Sequence, residues 1–142
     1  MAWGMDVSGI EALRDYKEAH TFWEKAKPWR DQTGQYDPRP LDNRRKRHVS
    51  IRLLHDLSIA CKLYRTDVVT YHPDGRVTLR PYGAASSDSM VNRLIHGHDV
   101  VLDATGGVVH VQNRIYRAIG TLVFDRDWRL ITTTEPFKTT VK

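Results

Sequence analysis

Between residues 49 and 79 the chain repeats apolar side chains at every second position and interrupts the repeat with turn formers. Val49, Ile51 and Leu53 alternate with Ser50, Arg52 and Leu54. Ile59, Cys61 and Leu63 alternate with Ala60, Lys62 and Tyr64. Val68 and Val69 lead a third run to Tyr71, and Val77 and Leu79 mark a fourth. Period two sends alternate side chains to opposite faces of an extended strand, so each run offers one face to a core. His55-Asp56 can serve as a short turn. His72-Pro73-Asp74-Gly75 is a stronger one, because proline presets one dihedral and glycine tolerates a positive one. Four short strands joined this tightly form an antiparallel meander, and the rest of the chain has to pack against it.

Upstream, Ser8 and Glu11 have the spacing of a capping box. The spacing predicts a helix over residues 8–27, with Ala12, Tyr16, Ala19, Trp23 and Ala26 on one stripe, Phe22 beside it and Pro28 as its stop. Residues 28–48 read as a basic, proline-rich loop, in which Trp29 and Tyr36 either pin the loop or face a partner. Downstream, Ser86 or Ser87 can cap a second short helix over residues 87–95, with Met90, Val91, Leu94 and Ile95 as its apolar face. Residues 100–102 and 108–111 read as a hairpin across Ala104-Thr105-Gly106-Gly107. Residues 115–119, 122–124 and 130–132 read as further strands, with a turn at 125–128. Residues 133–142 read as a loose tail. The expected fold is α+β: one domain of 142 residues, its N-terminal helix packed on a mostly antiparallel, hairpin-rich twisted sheet or open barrel.

The net charge of +5 is unevenly placed. Lys and Arg against Asp and Glu give −2 over residues 1–43, +6 over residues 44–80 and +1 over residues 81–142. A patch of this kind points to an anionic partner: nucleic acid, an acidic protein surface or anionic lipid. No stretch approaches the roughly 18 apolar residues of a membrane span, so no membrane association is expected. Cys61 is the only cysteine and the N-terminus carries no basic-then-apolar leader, which fits a reducing, cytoplasmic setting.

Arg44, Arg45, Lys46 and Arg47 form the densest run of cations, and Arg52, Lys62, Arg65, Arg76 and Arg80 extend it if they share a sheet face. Such residues neutralise phosphates, and Trp29, Tyr36, Tyr64 and Tyr71 nearby are candidates for stacking on bases. The same cations also serve as a solvated guard that keeps a sheet edge from pairing with other chains. His96 and His98, with His110, are the only grouping with metal-ligand character, and a glycine between two histidines is a loose frame for a metal. His72 with Asp74 has the types of a general base and its orienter, and so has His55 with Asp56, but each is also a complete turn. Cys61 alternates with Ile59 and Leu63 and reads as a core residue. Gly106-Gly107 lacks the Lys-Ser/Thr of a phosphate loop. No cofactor, metal or catalytic residue is expected.

Arg39-Pro40-Leu41, Arg44-Arg45, Ile59-Ala60-Cys61-Lys62-Leu63-Tyr64 and Thr66-Asp67-Val68-Val69-Thr70-Tyr71-His72-Pro73-Asp74-Gly75 resemble a family of small uncharacterised bacteriophage proteins. Members share an upstream helix leading into a Lys-Pro-aromatic-Arg segment, here Lys27-Pro28-Trp29-Arg30. The likeness covers roughly residues 20–95 and departs at Tyr82-Gly83-Ala84-Ala85, where the family often has glycine and tryptophan. It implies a phage or prophage setting and expression in a bacterial cytoplasm, and it transfers no catalytic residue. The function expected is that of a non-enzymatic protein that binds nucleic acid through Arg44, Arg45, Lys46, Arg47, Arg52 and Lys62, with Trp29 and Tyr36. The alternative is a protein-directed inhibitor of a host enzyme or defence complex, of anti-CRISPR or anti-restriction type, using the same patch. A weaker alternative is a small hydrolase or nuclease using His72 or the His96/His98 pair.

Overall fold

The fold is described by a computed structural model, which covers residues 7–80, 85–103, 108–112, 114–117, 121–133 and 139–140. In chain order its elements are α1 (Tyr16–Lys25), β1 (Arg39–Pro40), β2 (Val49–Leu53), β3 (Ile59–Leu63), β4 (Thr66–Tyr71), β5 (Val77–Leu79), α2 (Ala85–Leu94), β6 (Val100–Asp103), β7 (Val108–Val111), β8 (Arg114–Arg117), β9 (Leu122–Phe124), β10 (Leu130–Thr133) and β11 (Thr139–Thr140). The architecture is α+β with the helix of the N-terminal region on a large antiparallel sheet, as the order of sequence patterns implies.

The alternating run forms the meander β2-β3-β4-β5, and its register explains the core. Val49 pairs with Leu63, Ile51 with Cys61 and Leu53 with Ile59, and across the next seam Cys61 meets Val69 and Ile59 meets Tyr71. Tyr71 then meets Val77, which meets Phe124. These apolar side chains share one face and are almost wholly shielded. Burial of this kind stabilises by about 25 cal/mol per Å² of apolar surface, so the layer is the main source of cohesion.

Among the described residues the strands form two antiparallel sheets, neither a closed barrel. The larger runs β1-β2-β3-β4-β5-β9-β10, and the smaller runs β11-β8-β7-β6. After β5 the chain leaves the large sheet, forms α2 and β6 to β8, then returns as β9 beside β5. Local alternation cannot reveal such a return, because it fixes which face a strand buries and not which strand it joins. α1 packs on β2 and β3, while α2 packs on β4 and β6. Asn92 of α2 donates to the carbonyl of Leu102 and accepts from its N–H, both at 2.8 Å, which covers the outer edge of β6.

Three boundaries differ from the sequence reading. The first helix is Tyr16–Lys25, not residues 8–27. Asp15, in extended geometry, accepts from the Glu18 N–H at its start. Glu18 returns a bond to the Arg14 N–H at 2.9 Å, so the reciprocal cap forms around Asp15 and not around Ser8. The segment ahead of it is irregular and buries Val7, Ile10 and Leu13. It is held by the Leu13 N–H on the carbonyl of Leu94 and by the Tyr71 hydroxyl on the carbonyl of Leu13. The loop over residues 28–48 contains β1, a two-residue edge strand on β2. Its Pro40 suits an edge, where a missing N–H costs no ladder bond. The tail is not wholly loose, since Thr139 and Thr140 pair with Tyr116 and Ile115.

The His72-Pro73-Asp74-Gly75 turn forms as expected. Gly75 has φ +97°, a conformation that side-chain-bearing residues rarely adopt, and a Cβ there would come within 2.9 Å of Arg126. The second helix begins at Ala85, two residues before the sequence estimate. The hairpin tip expected at residues 104–107 lies outside the described residues. Among the described residues no helix is long and apolar enough to cross a membrane.

Candidate nucleic-acid interface

The basic run does not stand out in solvent as four free cations. The Arg44 guanidinium donates to the carbonyls of Lys27 and Pro28 at 2.7 and 3.1 Å, tying the loop to the chain just past the end of α1. Lys46 pairs with Asp42 at 2.9 Å, with both side chains largely shielded. Arg47 makes a two-pronged pair with Asp31 at 2.9 and 3.3 Å, and its guanidinium carbon lies 4.8 Å from the centre of the Trp29 ring. That pair holds the Asp31 carboxyl below the usual carboxylate range, chiefly through the Arg47 hydrogen bond. Further along, Arg52 pairs with Asp67 at 2.8 Å across the outer face of the large sheet. Arg45 alone of the four has an exposed side chain with no partner among the described residues.

Trp29 is buried. Its Nε1–H donates to the carbonyl of Arg44 at 2.8 Å, so it pins the loop and presents no face for stacking. Tyr71 is buried as well. Tyr36 is partly exposed, with its ring 4.1 Å from that of His55, beside the β2–β3 turn. That turn is at the opposite end of β2 from the basic run, so the fold does not bring Tyr36 to Arg44, Arg45, Lys46 and Arg47. Gly9 fits against Asp42 so closely that a Cβ would sit 2.6 Å from its carboxylate oxygens, so the Lys46–Asp42 pair is wedged between two segments.

What the fold does assemble is a basic end of the large sheet. β2 starts at Val49 opposite Leu63 at the end of β3, so the 43–48 turn and the Tyr64-Arg65 turn lie side by side. The Tyr64 N–H donates to the carbonyl of His48 at 2.8 Å, and their rings are 5.9 Å apart. Tyr64 adopts φ +55°, unusual outside glycine, and is 50% exposed. Arg45 is exposed in the first of these turns and Arg65 in the second, and Lys62, half-buried, lies opposite Ser50 on the outer face. Lys27 and Arg30 are exposed in the segment that the Arg44 guanidinium clasps. Lys27, Arg30, Arg45, Lys62 and Arg65 all lack a carboxylate partner among the described residues. Arg65 belongs to the extension that the sequence names, whereas Lys27 and Arg30 carry little weight in a sequence reading centred on the contiguous run. Their signal is the absence of an acidic residue placed to neutralise them, which is visible only in three dimensions.

The catalytic and metal groupings separate. His96 faces a cleft between α2 and β6, whereas His98 stacks on Trp128 at 4.1 Å and bonds the Arg14 carbonyl through Nε2 at 2.8 Å. Among the described residues no three His, Cys, Asp or Glu side chains are placed to hold a metal ion. Asp74 accepts from the N–H and guanidinium of Arg76, not from His72. The His72 ring instead bridges the hydroxyls of Ser58 at 3.0 Å and Thr78 at 2.7 Å. Burial lowers its pKa, helped by Arg76 and opposed by Asp74 and Asp56. Asp56 accepts from the Ser58 N–H and closes its own turn. Cys61 is fully buried, and burial pushes its thiol well up, away from nucleophilic use.

Comparisons of the chain with protein-family models, with curated proteins and with solved structures find no match.

Proposed function

We propose that the chain binds nucleic acid at the basic end of its large sheet, with Arg45, Lys62 and Arg65 on phosphates and Tyr64 stacked on a base. The observation that supports this most directly is Tyr64: a half-exposed aromatic held on a left-handed backbone beside His48, in the turn that also carries the exposed Arg65. An exposed tyrosine in a turn next to one that carries exposed cations combines the two elements that single-strand binders use, a stacking surface and an electrostatic track. Arg44, Lys46 and Arg47 have structural work in this reading, shaping the loop that presents Arg45. The resemblance to small phage proteins would set such a role in a bacterial cytoplasm.

The test is a salt-titrated fluorescence-anisotropy measurement with a labelled single-stranded oligonucleotide. Binding at about 50 mM salt is expected to fall steeply as salt rises. Replacing Arg45, Lys62 and Arg65 by alanine should flatten the salt slope by roughly one unit per phosphate contact removed. Tyr64→Ala should weaken binding by about 1–3 kcal/mol with little change of slope. No binding at low salt, or unchanged binding in the triple variant, would overturn the reading. In that event a host protein retained on the chain after nuclease treatment, and lost in the triple variant, would move the same surface to an acidic protein partner.

A further inference from the structure

A pocket of about 320 Å³ lies where the small sheet approaches the far edge of the large one. Its walls are Val111 and Gln112 at the end of β7, Arg114 and Tyr116 of β8, and Arg129 and Leu130 at the entry to β10. In the order of the large sheet β10 is four strand spacings from β3, so this pocket is separate from the basic end. It brings together two guanidinium groups from different sheets, and among the described residues no carboxylate lines it. Neither Arg114 nor Arg129 has a side-chain partner among the described residues.

The register shows how unusual the place of Arg114 is. It stands opposite Val111, as Tyr116 stands opposite Val109, and directly opposed residues of antiparallel strands share a face. Val109 and Val111 are buried and Tyr116 packs against the core. Arg114 therefore ends a core-side row, where period two calls for an apolar side chain. Arg129 is held by a braced turn. The Asp125 carboxylate accepts from the N–H groups of Asp127 and Arg129 at 2.9 and 3.0 Å, and the Asp125 N–H donates to the Arg129 carbonyl at 3.0 Å. That carboxylate is occupied with backbone and leaves the Arg129 guanidinium to the pocket. Gln112, at φ +55°, is fixed as well, its N–H on the carbonyl of Asp99 at 2.9 Å. Side-chain-bearing residues kept in that left-handed region gather at binding sites.

We propose that this pocket binds a phosphate monoester carried on a flat ring, with Arg114, Arg129 and the Gln112 amide on the phosphate and the ring against Tyr116 and Leu130. Two guanidinium groups suit a dianion, and their planar forks match phosphate oxygens in pairs. The aromatic and apolar wall suits a nucleobase, which gains from stacking. The volume is near the lower bound of small-molecule sites, roughly 300 Å³, so it has room for one phosphate and one ring. A free nucleoside monophosphate and the phosphorylated end of a strand present the same group.

The first probe is adenosine monophosphate, titrated calorimetrically into the full chain at about 0.15 M ionic strength, where loose surface pairing is screened. One saturable site is expected, with adenosine and inorganic phosphate each at least about tenfold weaker, since each lacks half of the ligand. The variant Arg114→Gln/Arg129→Gln, both positions exposed, should fold as the parent does and lose at least about tenfold in affinity. The variant Arg45→Ala/Lys62→Ala/Arg65→Ala should keep the parental affinity, which separates this site from the basic end. In that triple variant, a trinucleotide with a 5′-phosphate that binds more tightly than both adenosine monophosphate and its own 5′-hydroxyl counterpart identifies the ligand as a strand end. Weaker binding than the monophosphate identifies it as a free nucleotide. No saturable site for either phosphorylated probe, equal affinity for adenosine, parental affinity in the folded double variant, or loss of the site in the triple variant would each overturn the proposal.

Discussion

The two charged regions of the molecule handle charge in opposite ways. At the basic end, each strongly positioned cation has been given a partner: carbonyls for Arg44, Asp42 for Lys46, Asp31 for Arg47, Asp67 for Arg52. Where α2 faces β6, Asp88 bonds the Ser87 hydroxyl at 3.5 Å and no cation, and the Arg93 guanidinium is turned to the carbonyl of Ile10. A paired charge holds a fold in place, while an unpaired one next to open space is available to a ligand. The contrast means that the conspicuous run in the sequence is mainly architecture, and that binding capacity lies with less conspicuous residues around it.

The largest effect expected from breaking the contrast is at Trp29. Trp29→Ala removes a buried aromatic, the bond from its Nε1 to the Arg44 carbonyl and the surface under Arg47. A loss of about 3–5 kcal/mol is expected in chemical denaturation, in the range of large aromatic truncations. If the loss were below about 0.5 kcal/mol, as for an ordinary surface substitution, the loop would not be pinned as described. Phe at this position should recover most of the packing and lack the indole bond, which separates the two contributions.

A smaller effect, with a definite sign, is expected at Asp88. Its carboxyl is raised above the usual aspartate range by burial first and by Asp103 as a lesser cause. The folded chain therefore holds that proton more tightly than the unfolded chain. The stability this lends is fully present below the unfolded aspartate pKa, and it is lost as pH rises through the unfolded value and then the raised one. Asp88→Asn, which keeps the shape and removes the titration, should be more stable than the parent at neutral pH, and the difference should vanish in acid. Melting temperatures of the two chains across pH 3 to 8 test this, and a parent that gained on the variant with rising pH would remove the argument.

How much of this was legible in the sequence depends on whether the information was local. Alternation from Val49 to Leu79 set the meander and its buried face, and Pro73-Asp74-Gly75 set its tightest turn, because both depend only on near neighbours. The start of α1 was misplaced because Ser8 with Glu11 and Asp15 with Glu18 are both acceptable caps. The choice fell to the burial of Val7, Ile10 and Leu13 in non-helical geometry against α2 and β4. Likewise β1 and β11 exist only because β2 and β8 offer them an edge. At the candidate interface the sequence shows the cations only as a contiguous run. It could not tell Arg44 from Arg45, since the difference is whether Lys27 and Pro28 happen to lie within reach.

The smallest effect on stability, and the sharpest on function, belongs to Asp31. Its carboxylate and Arg47 are both well exposed, so this pair adds little to folding, as most surface ion pairs do. Asp31→Asn is expected to leave the melting temperature unchanged, because Trp29 and Arg44 hold the loop without it. The same substitution frees the Arg47 guanidinium, still resting on Trp29, in the loop that carries Arg45. If the basic end is where nucleic acid binds, the variant should bind an oligonucleotide more tightly, and its salt slope should steepen by about one unit, the contribution of one more phosphate contact. Unchanged affinity with unchanged stability would mean that the nucleic acid does not pass over Arg47, and would confine the contact surface to Tyr64, Lys62 and Arg65. Weaker binding would mean that Asp31 orients Arg47 toward the ligand, and the pair would then belong to the site and not to the scaffold.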